Sequence, residues 1–401
     1  MKFGIIREGK NPPDKRVPLS PSQCQQLLKQ YPDLKIAIQP SPIRAFKDEE
    51  YSDLGLQLQE DLSDCEVLFG VKEVPTDMLI PNKTYLFFSH TYKLQPYNRG
   101  LLQAILQKKI RLIDYEMLKD KNDIRILGFG KYAGIVGAYN AFRAWGEMTN
   151  EFKLKPAHLC HDRKEMESEL AKLKFSKARK IVLTGSGRVG GGAEEIMKLL
   201  NFTKVEPQDF LNRTYDSHVY CQLEVSDYFK RVDAKEFKNE DFYSNPVGYE
   251  SNFRKYAKQA DIYISCHFWS EKSPYIFSRE DAKSEDFNIR LVSDISCDID
   301  GPVASTLSPS TIENPFYGYD PIKEAIVDFG AKGSIGVSAV DNLPCELPRD
   351  ASQDFGNELI KNVIPHFFNG DKDKILERAS ETDLHGKLSS YFSYLQDYVQ
   401  G

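Results

Sequence analysis

Residues 180–200, KIVLTGSGRVGGGAEEIMKLL, constrain the fold more than any other stretch of the chain. Ile181 to Leu183 is a short apolar run, Gly185, Gly187 and Gly190 follow at the G-x-G-x-x-G spacing, and Ala193, Ile196, Met197 and Leu200 repeat at helical intervals. Gly185 permits a tight turn, Gly187 lets the backbone approach a pyrophosphate, and Gly190 lets the helix pack closely on the strand. N–H groups at the helix start would hold the anion, with Arg188 and Val189 completing the set of expected contacts. Glycine-dense turns also form wherever a chain merely reverses. Here a strand precedes the turn, a helix follows, and a further β-like run at Thr203 to Val205 completes a βαβ unit, so the sequence predicts a dinucleotide site.

The chain before this turn alternates in the same way. Lys2 to Ile6 reads as a strand, and the helix after it is announced by Ser20 as N-cap and Pro21 at the first helical position. Leu34 to Ile38, Val67 to Val71, Tyr85 to Phe88 and Ile110 to Ile113 read as further strands, with helical sequence such as Leu101 to Gln107 between them. This alternation predicts a mostly parallel α/β sheet. A second glycine-rich turn at residues 126–146, ILGFGKYAGIVGAYNAFRAWG, competes for the nucleotide. A long charged stretch follows it instead of a strand, which favours the plainer reading that its glycines let a long interdomain helix pack closely. Residues 210–260 lack a sustained period and read as an insertion, Asp261 to Ser265 and Arg290 to Ser296 resume the strands, and 300–321 reads as a loop. Helical sequence is expected from Ser352 to Phe368 and from Ile375 to the end.

With 401 residues, 41% hydrophobic and 28% charged, two ordinary α/β domains are the expectation. The net charge of −6 gives no global footprint for nucleic acid, and no apolar run is long enough to span a bilayer. Neither terminus carries a secretory or lipid signal, and seven scattered cysteines without a C-x-x-C pair suit reduced thiols, so a cytoplasmic location is expected. His158, Cys160, His161 and Asp162 form one metal-like cluster, but without a second ligand pair no metal is expected.

A bound dinucleotide implies hydride transfer, which needs acid and base groups at strand ends. Lys72 follows VLFGV and His90 follows YLFFS, placing both where α/β sheets build clefts. A desolvated lysine becomes a usable base near neutral pH, and histidine needs little tuning. Against this, Lys72 and Glu73 read equally as solvated loop charges and His90 as a hydrogen-bonded core histidine. Arg7 and Arg16 offer guanidinium forks for a substrate carboxylate.

Eight motifs, GVKEVP, FFSHTYK, IRLIDYEML, GFGKYAGIVGA, GSGRVGG, SDISCDIDG, TIENPFYGYD and VDNLPCELPRDAS, occur in an order that resembles the lysine-forming saccharopine dehydrogenases. The resemblance is closest to the lysine-ketoglutarate reductase half of the bifunctional aminoadipic semialdehyde synthase and covers nearly the whole chain. It implies an alanine dehydrogenase-like fold of two doubly wound, Rossmann-like α/β domains separated by a cleft. Residues 1–133, completed by about 325–401, would form the substrate domain, and 134–324 the dinucleotide domain with its insertion at about 210–260. It implies interconversion of saccharopine with L-lysine and 2-oxoglutarate using NAD or NADP. Lys72 and His90 would be the acid and base pair, with Glu73, Lys93, Glu116 and Arg125 around them, and Arg16 and Arg125 facing substrate carboxylates. Asp341 would meet the cofactor. About 20 residues past the glycine turn, where an acid normally holds the ribose, the chain offers Glu206 and Asp209, while Arg188 suits a 2′-phosphate. An alanine dehydrogenase-like enzyme and a catalytically silent nucleotide-binding protein are the competing expectations.

Overall fold

The computed structural model describes all 401 residues. It divides into two compact units, residues 1–129 with 348–401, and residues 130–347.

The first unit is built on six parallel strands: β1 (Lys2–Ile5), β2 (Lys35–Ile38), β3 (Gln57–Leu58), β4 (Val67–Phe69), β5 (Thr84–Phe87) and β6 (Arg111–Asp114). Their spatial order is β3-β2-β1-β4-β5-β6. The chain moves outward from β1 in one direction, returns, and moves outward from β4 in the other. That reversal between β1 and β4 opens a crevice at the carboxyl ends of the strands, where α/β proteins bind ligands. Apolar residues such as Phe3, Ile5, Phe69 and Leu86 are buried, as expected of a sheet covered on both faces. Ser20 caps the helix Pro21–Gln30 in a capping box with Gln23, and the helix starts on its proline. The returning helix Pro348–Asn362 packs against it: Gln23 Nε2 donates to the Gln353 carbonyl at 2.7 Å and to Asn357 Oδ1 at 2.8 Å.

The second unit holds β7 (Lys180–Thr184), β8 (Thr203–Lys204), β9 (Val219–Leu223), the antiparallel hairpin of β10 (Phe229–Arg231) and β11 (Tyr249–Ser251), and then β12 (Ile262–Ser265), β13 (Leu291–Asp294), β14 (Phe316–Asp320), β15 (Ala325–Val327) and β16 (Ile335–Ser338). Its main sheet runs β15-β14-β16-β13-β12-β7-β9-β8, in which β14 alone runs against the others and pairs antiparallel with both β16 and β15. The helix Gly130–Thr149 lies in this unit, and its glycines are packing residues. A Cβ on Gly134 would stand 1.9 Å from the Val189 carbonyl oxygen, and one on Gly192 would stand 2.0 Å from that of Lys131. Two helix backbones therefore touch where side chains would separate them. The helix also meets the sheet, where Ser293 Oγ donates to the Gly137 carbonyl at 2.9 Å.

Four sequence expectations change. Residues 210–260 are not wholly an insertion, because Val219–Leu223 is a strand of the main sheet lying between β7 and β8; its mixed residues, VYCQL, hide it. The loop expected at 300–321 contains β14, which pairs with β16. Residues 325–347 pair within the second sheet, so the chain returns to the first unit at Pro348 and not near 325. The tail after Ile375 is not one helix: the helix stops at Ala379, and the following residues run beside β6, with Ser380 opposite Ile113 in an antiparallel bridge.

Candidate active site

In the first unit, the carboxyl ends of β1, β4, β5 and β6 converge on one polar cluster. Glu73, just beyond β4, is buried, and its two carboxylate oxygens are both used. Oε1 lies 2.7 Å from His90 Nδ1, and Lys10 Nζ donates to Oε2 at 2.6 Å. Burial alone would raise this carboxyl, but the His90 and Lys10 hydrogen bonds outweigh it and hold it at about 2. An ionised Glu73 only accepts, so His90 carries its proton on Nδ1 and presents Nε2 to the crevice.

On the other side of the imidazole stands Glu116, whose Oε2 is 3.8 Å from His90 Nε2. The same oxygen accepts from the Tyr92 hydroxyl at 2.7 Å and pairs with Lys93 Nζ at 3.1 Å, and Arg125 Nη1 is 3.2 Å from Oε1. Burial opposes ionisation here too, but Arg125 and Lys93 prevail and hold the carboxyl below its usual range. Lys93 and Arg125 are each about two-fifths exposed, at 39% and 41%, so both cations can meet an incoming anion.

Lys72 is half-buried, and its backbone N–H donates to Glu8 Oε2 at 2.8 Å, while Val71 N–H donates to Glu8 Oε1 at 2.7 Å. Burial, reinforced by the Asp14 charge, pushes the Glu8 carboxyl up to about 8. Asp14 differs: although burial would raise it, the Arg16 guanidinium holds it far below the carboxylate range, with Lys72 adding to the effect. Arg16 grips Asp14 through Nη2 at 2.6 Å and Nε at 3.1 Å, and its guanidinium lies 4.2 Å from the centre of the Phe129 ring.

Lys72, Glu73, His90, Lys93, Glu116 and Arg125 are thus brought together, and Arg16 stands beside them in the grip of Asp14. The cluster adds Glu8, Lys10, Asp14 and Tyr92, which the sequence reading omits. Glu8 follows β1 as Lys72 follows β4, so the strand-end rule could have found it.

In the second unit, Gly185 follows β7 with φ of +88°, and a Cβ there would meet the Cys266 carbonyl oxygen at 2.8 Å. A Cβ on Gly190 would stand 2.1 Å from the Gly185 carbonyl oxygen, whereas Gly187 faces open space. The helix Arg188–Leu199 begins on Gly187 without a side-chain cap. Gly185 and Gly190 thus leave no room for a side chain, and the turn ends on uncapped N–H groups, the kind of helix start that suits an anion. Arg188 and Val189 form the first turn of that helix. Asp341 lies beyond β16, its N–H donating to the Ser310 carbonyl at 3.3 Å.

Glu206 and Asp209 are one strand too far out. β8 pairs with β9, and β9 is the strand beside β7. The acid at the end of β9 is Glu224, which accepts a hydrogen bond from Ser186 Oγ at 2.8 Å within the glycine turn. Asp209 is instead paired with Arg213. The residues of the metal-like cluster serve local structure: Asp162 caps the helix Arg163–Glu169, and Cys160 Sγ faces the Pro156 carbonyl.

The chain is similar to known proteins along most of its length. Residues 4–136 match the family model for the alanine dehydrogenase/PNT N-terminal domain. The chain is 30% identical to alpha-aminoadipic semialdehyde synthase of Arabidopsis thaliana over 98% of its own length and 41% of that protein's. It is 23% identical to saccharopine dehydrogenase [NAD(+), L-lysine-forming] of Neurospora crassa, over 87% of each. Similarity to proteins of these two names thus extends along most of the chain. It spans less than half the length of the semialdehyde synthases it matches, but most of the length of the fungal saccharopine dehydrogenases. A solved L-alanine dehydrogenase shares the fold, with a TM-score of 0.66 at 18% identity and coverage of 100% and 99% of the two chains. No helix of the chain is long and apolar enough to cross a membrane.

Proposed function

We propose that the chain is an NAD(P)-dependent oxidoreductase that interconverts saccharopine with L-lysine and 2-oxoglutarate. The observation that carries this reading is the Glu73–His90–Glu116 array, with Lys72 adjoining, at the carboxyl ends of parallel strands in a chain homologous to saccharopine dehydrogenases.

A nicotinamide dinucleotide supplies the hydride acceptor or donor when bound. Gly185, Gly187 and Gly190, with Arg188 and Val189, would hold its pyrophosphate, and Asp341 would approach its other end. Glu224 fits the ribose hydroxyls better than Glu206 or Asp209, because it is the acid at the end of the strand beside β7.

The reaction needs two proton acceptors in the saccharopine-cleaving direction. Lys72 Nζ accepts the proton of the secondary amine as hydride departs, and His90 Nε2 accepts a proton from the water that hydrolyses the resulting imine. Water is the weaker acid, and the base backed by an ionised carboxylate is His90. Run backwards, the same groups return their protons as lysine and 2-oxoglutarate condense and are reduced. Saccharopine has three carboxylates, and Arg16, Lys93 and Arg125 are the cations to receive them. None of the seven cysteines is in a disulfide, which supports a reducing compartment, and we place the chain in the cytoplasm.

The test follows nicotinamide absorbance with lysine plus 2-oxoglutarate, with saccharopine in reverse, and with pyruvate plus ammonia. Turnover of the first two alone is expected. Turnover of pyruvate and ammonia alone would make this an alanine dehydrogenase-like enzyme, and cofactor binding without turnover of any of them would make it a nucleotide-binding homologue.

A further inference from the structure

Directly behind His90 four oxygens form a buried row. Asp114 Oδ2 and Ser89 Oγ are 2.5 Å apart, Ser89 Oγ and Thr91 Oγ1 are 2.6 Å apart, and Thr91 Oγ1 and Glu381 Oε2 are 2.5 Å apart. All four residues are inaccessible to solvent. Three contacts this short need three hydrogens, and two hydroxyls supply two. The third must sit on a carboxyl group. Asp114 already receives the Ser89 N–H at 2.8 Å on Oδ2 and the Glu116 N–H at 2.6 Å on Oδ1, so it acts only as an acceptor. The remaining hydrogen belongs to Glu381, and the donors run in one direction: from Glu381 to Thr91, from Thr91 to Ser89, and from Ser89 to Asp114. Burial raises both carboxyls, Glu381 to about 8 with the Asp114 charge adding to it, which agrees with one neutral acid in the row, and the two N–H groups on Asp114 place it at Glu381.

The two hydroxyl residues flank His90, whose backbone is left-handed at φ 56° and ψ 10°. For a residue with a Cβ this conformation is disfavoured and persists only where the surroundings impose it. Glu381 arrives from the far end of the chain. Its N–H donates to the Leu112 carbonyl at 2.8 Å, and the Thr382 hydroxyl accepts the Leu112 N–H at 3.0 Å, so the segment docks along β6.

We propose that Glu381, as a neutral carboxylic acid ending a three-hydrogen-bond row to Asp114, is a positioning residue that holds His90 in its left-handed conformation. The proposal deepens the reading of His90 as a proton acceptor and rests on it. Glu381→Gln keeps a donor facing Thr91, whereas Glu381→Leu keeps bulk and removes the donor. The His90 ring is followed through its titration by NMR in both full-length variants, with circular dichroism as the check on folding. Glu381→Gln is expected to leave the His90 midpoint unchanged and turnover within roughly threefold, and Glu381→Leu to displace the midpoint and lower kcat roughly tenfold or more at little change in KM, as for a misplaced catalytic group. A folded Glu381→Leu variant with the native His90 titration and kcat would overturn the proposal, as would a Gln variant as impaired as the Leu variant. If Glu381→Leu does not fold, Asp114→Asn replaces it: that amide sets a donor against donors, so it must be the worse tolerated of the two amide variants, and the reverse order overturns the proposal. Because the NMR titration needs no substrate, it tests the role of Glu381 even in a protein inactive on saccharopine.

Discussion

Glu73 Oε1 and His90 Nδ1 are 2.7 Å apart, and this contact selects which imidazole nitrogen faces the crevice. An ionised carboxylate accepts the Nδ1 proton and leaves Nε2 as the base. In Glu73→Gln the amide can donate to Nδ1 and favour the opposite tautomer. Turnover is expected to fall roughly a hundredfold with cofactor affinity retained, the scale of a lost general base. Steady-state kinetics beside a fluorescence titration of the reduced cofactor check this, and unchanged kcat would show that the tautomer does not matter.

Lys72→Met and His90→Gln are each expected to lower turnover by roughly a hundredfold or more without loss of cofactor binding, since each removes one proton acceptor. The measurement is kcat in both reaction directions. Retention of full activity by either variant would remove that residue from the mechanism.

Stability has a defined pH dependence. Glu8 and Glu381 have folded-state values raised from 4.5 to about 8, so the native state binds more protons than the unfolded one between these limits. Their effect leaves stability highest on the acid side of that window and lowers it as pH rises toward about 8, at up to about 1.4 kcal/mol per pH unit for each group. Glu73 is depressed to about 2 and acts oppositely, its stabilisation being lost only as pH falls through that value. Thermal melts between about pH 5 and 9 should show a declining Tm, and Glu8→Gln should flatten the decline. A Tm rising across this range would contradict the buried-acid assignment.

What the sequence reveals depends on how local the cause is. Lys72 and His90 are legible because each follows an apolar strand directly, and the glycine cradle is legible because its steric demands fall within six residues, Gly185 to Gly190. Glu8 obeys the same strand-end rule, but its grip on the Val71 and Lys72 N–H groups is a tertiary fact that IREGK does not display. Glu224 is hidden by topology: counting forward from the turn reaches Glu206, and only the insertion of β9 between β7 and β8 brings the later acid to Ser186. Glu381 is the least legible, because it meets Ser89 across 292 residues through a tail whose pattern reads as helix.

Two glycines separate packing from propensity. Gly134→Ala forces a Cβ against the Val189 carbonyl oxygen and is expected to cost several kcal/mol or prevent folding, on the scale of severe overpacking. Gly191 lies in the helix Arg188–Leu199, and a methyl group there would meet nothing within 4 Å, so Gly191→Ala should stabilise by about 0.5–1 kcal/mol through helix propensity. Denaturant melts of the two variants compare them, and equal effects would contradict the close helix contact.

Glu224 should govern the choice between NAD and NADP. Its carboxylate suits free ribose hydroxyls and repels a 2′-phosphate, so Glu224→Ala is expected to weaken NADH binding and improve NADPH relative to it, by roughly tenfold in the ratio for a charge pair of this kind. Parallel fluorescence titrations give the ratio. A shift produced by Glu206→Ala and not by Glu224→Ala would return the role to the outer strand.

Oxidation of reduced nicotinamide cofactor by the purified chain with L-lysine and 2-oxoglutarate together reports the proposed reaction itself. Cofactor oxidation is expected only when both substrates are present, with saccharopine as the product and reversal when saccharopine and oxidised cofactor are supplied. Absence of turnover in both directions with both NAD and NADP, in a folded protein that binds the cofactor, would contradict it.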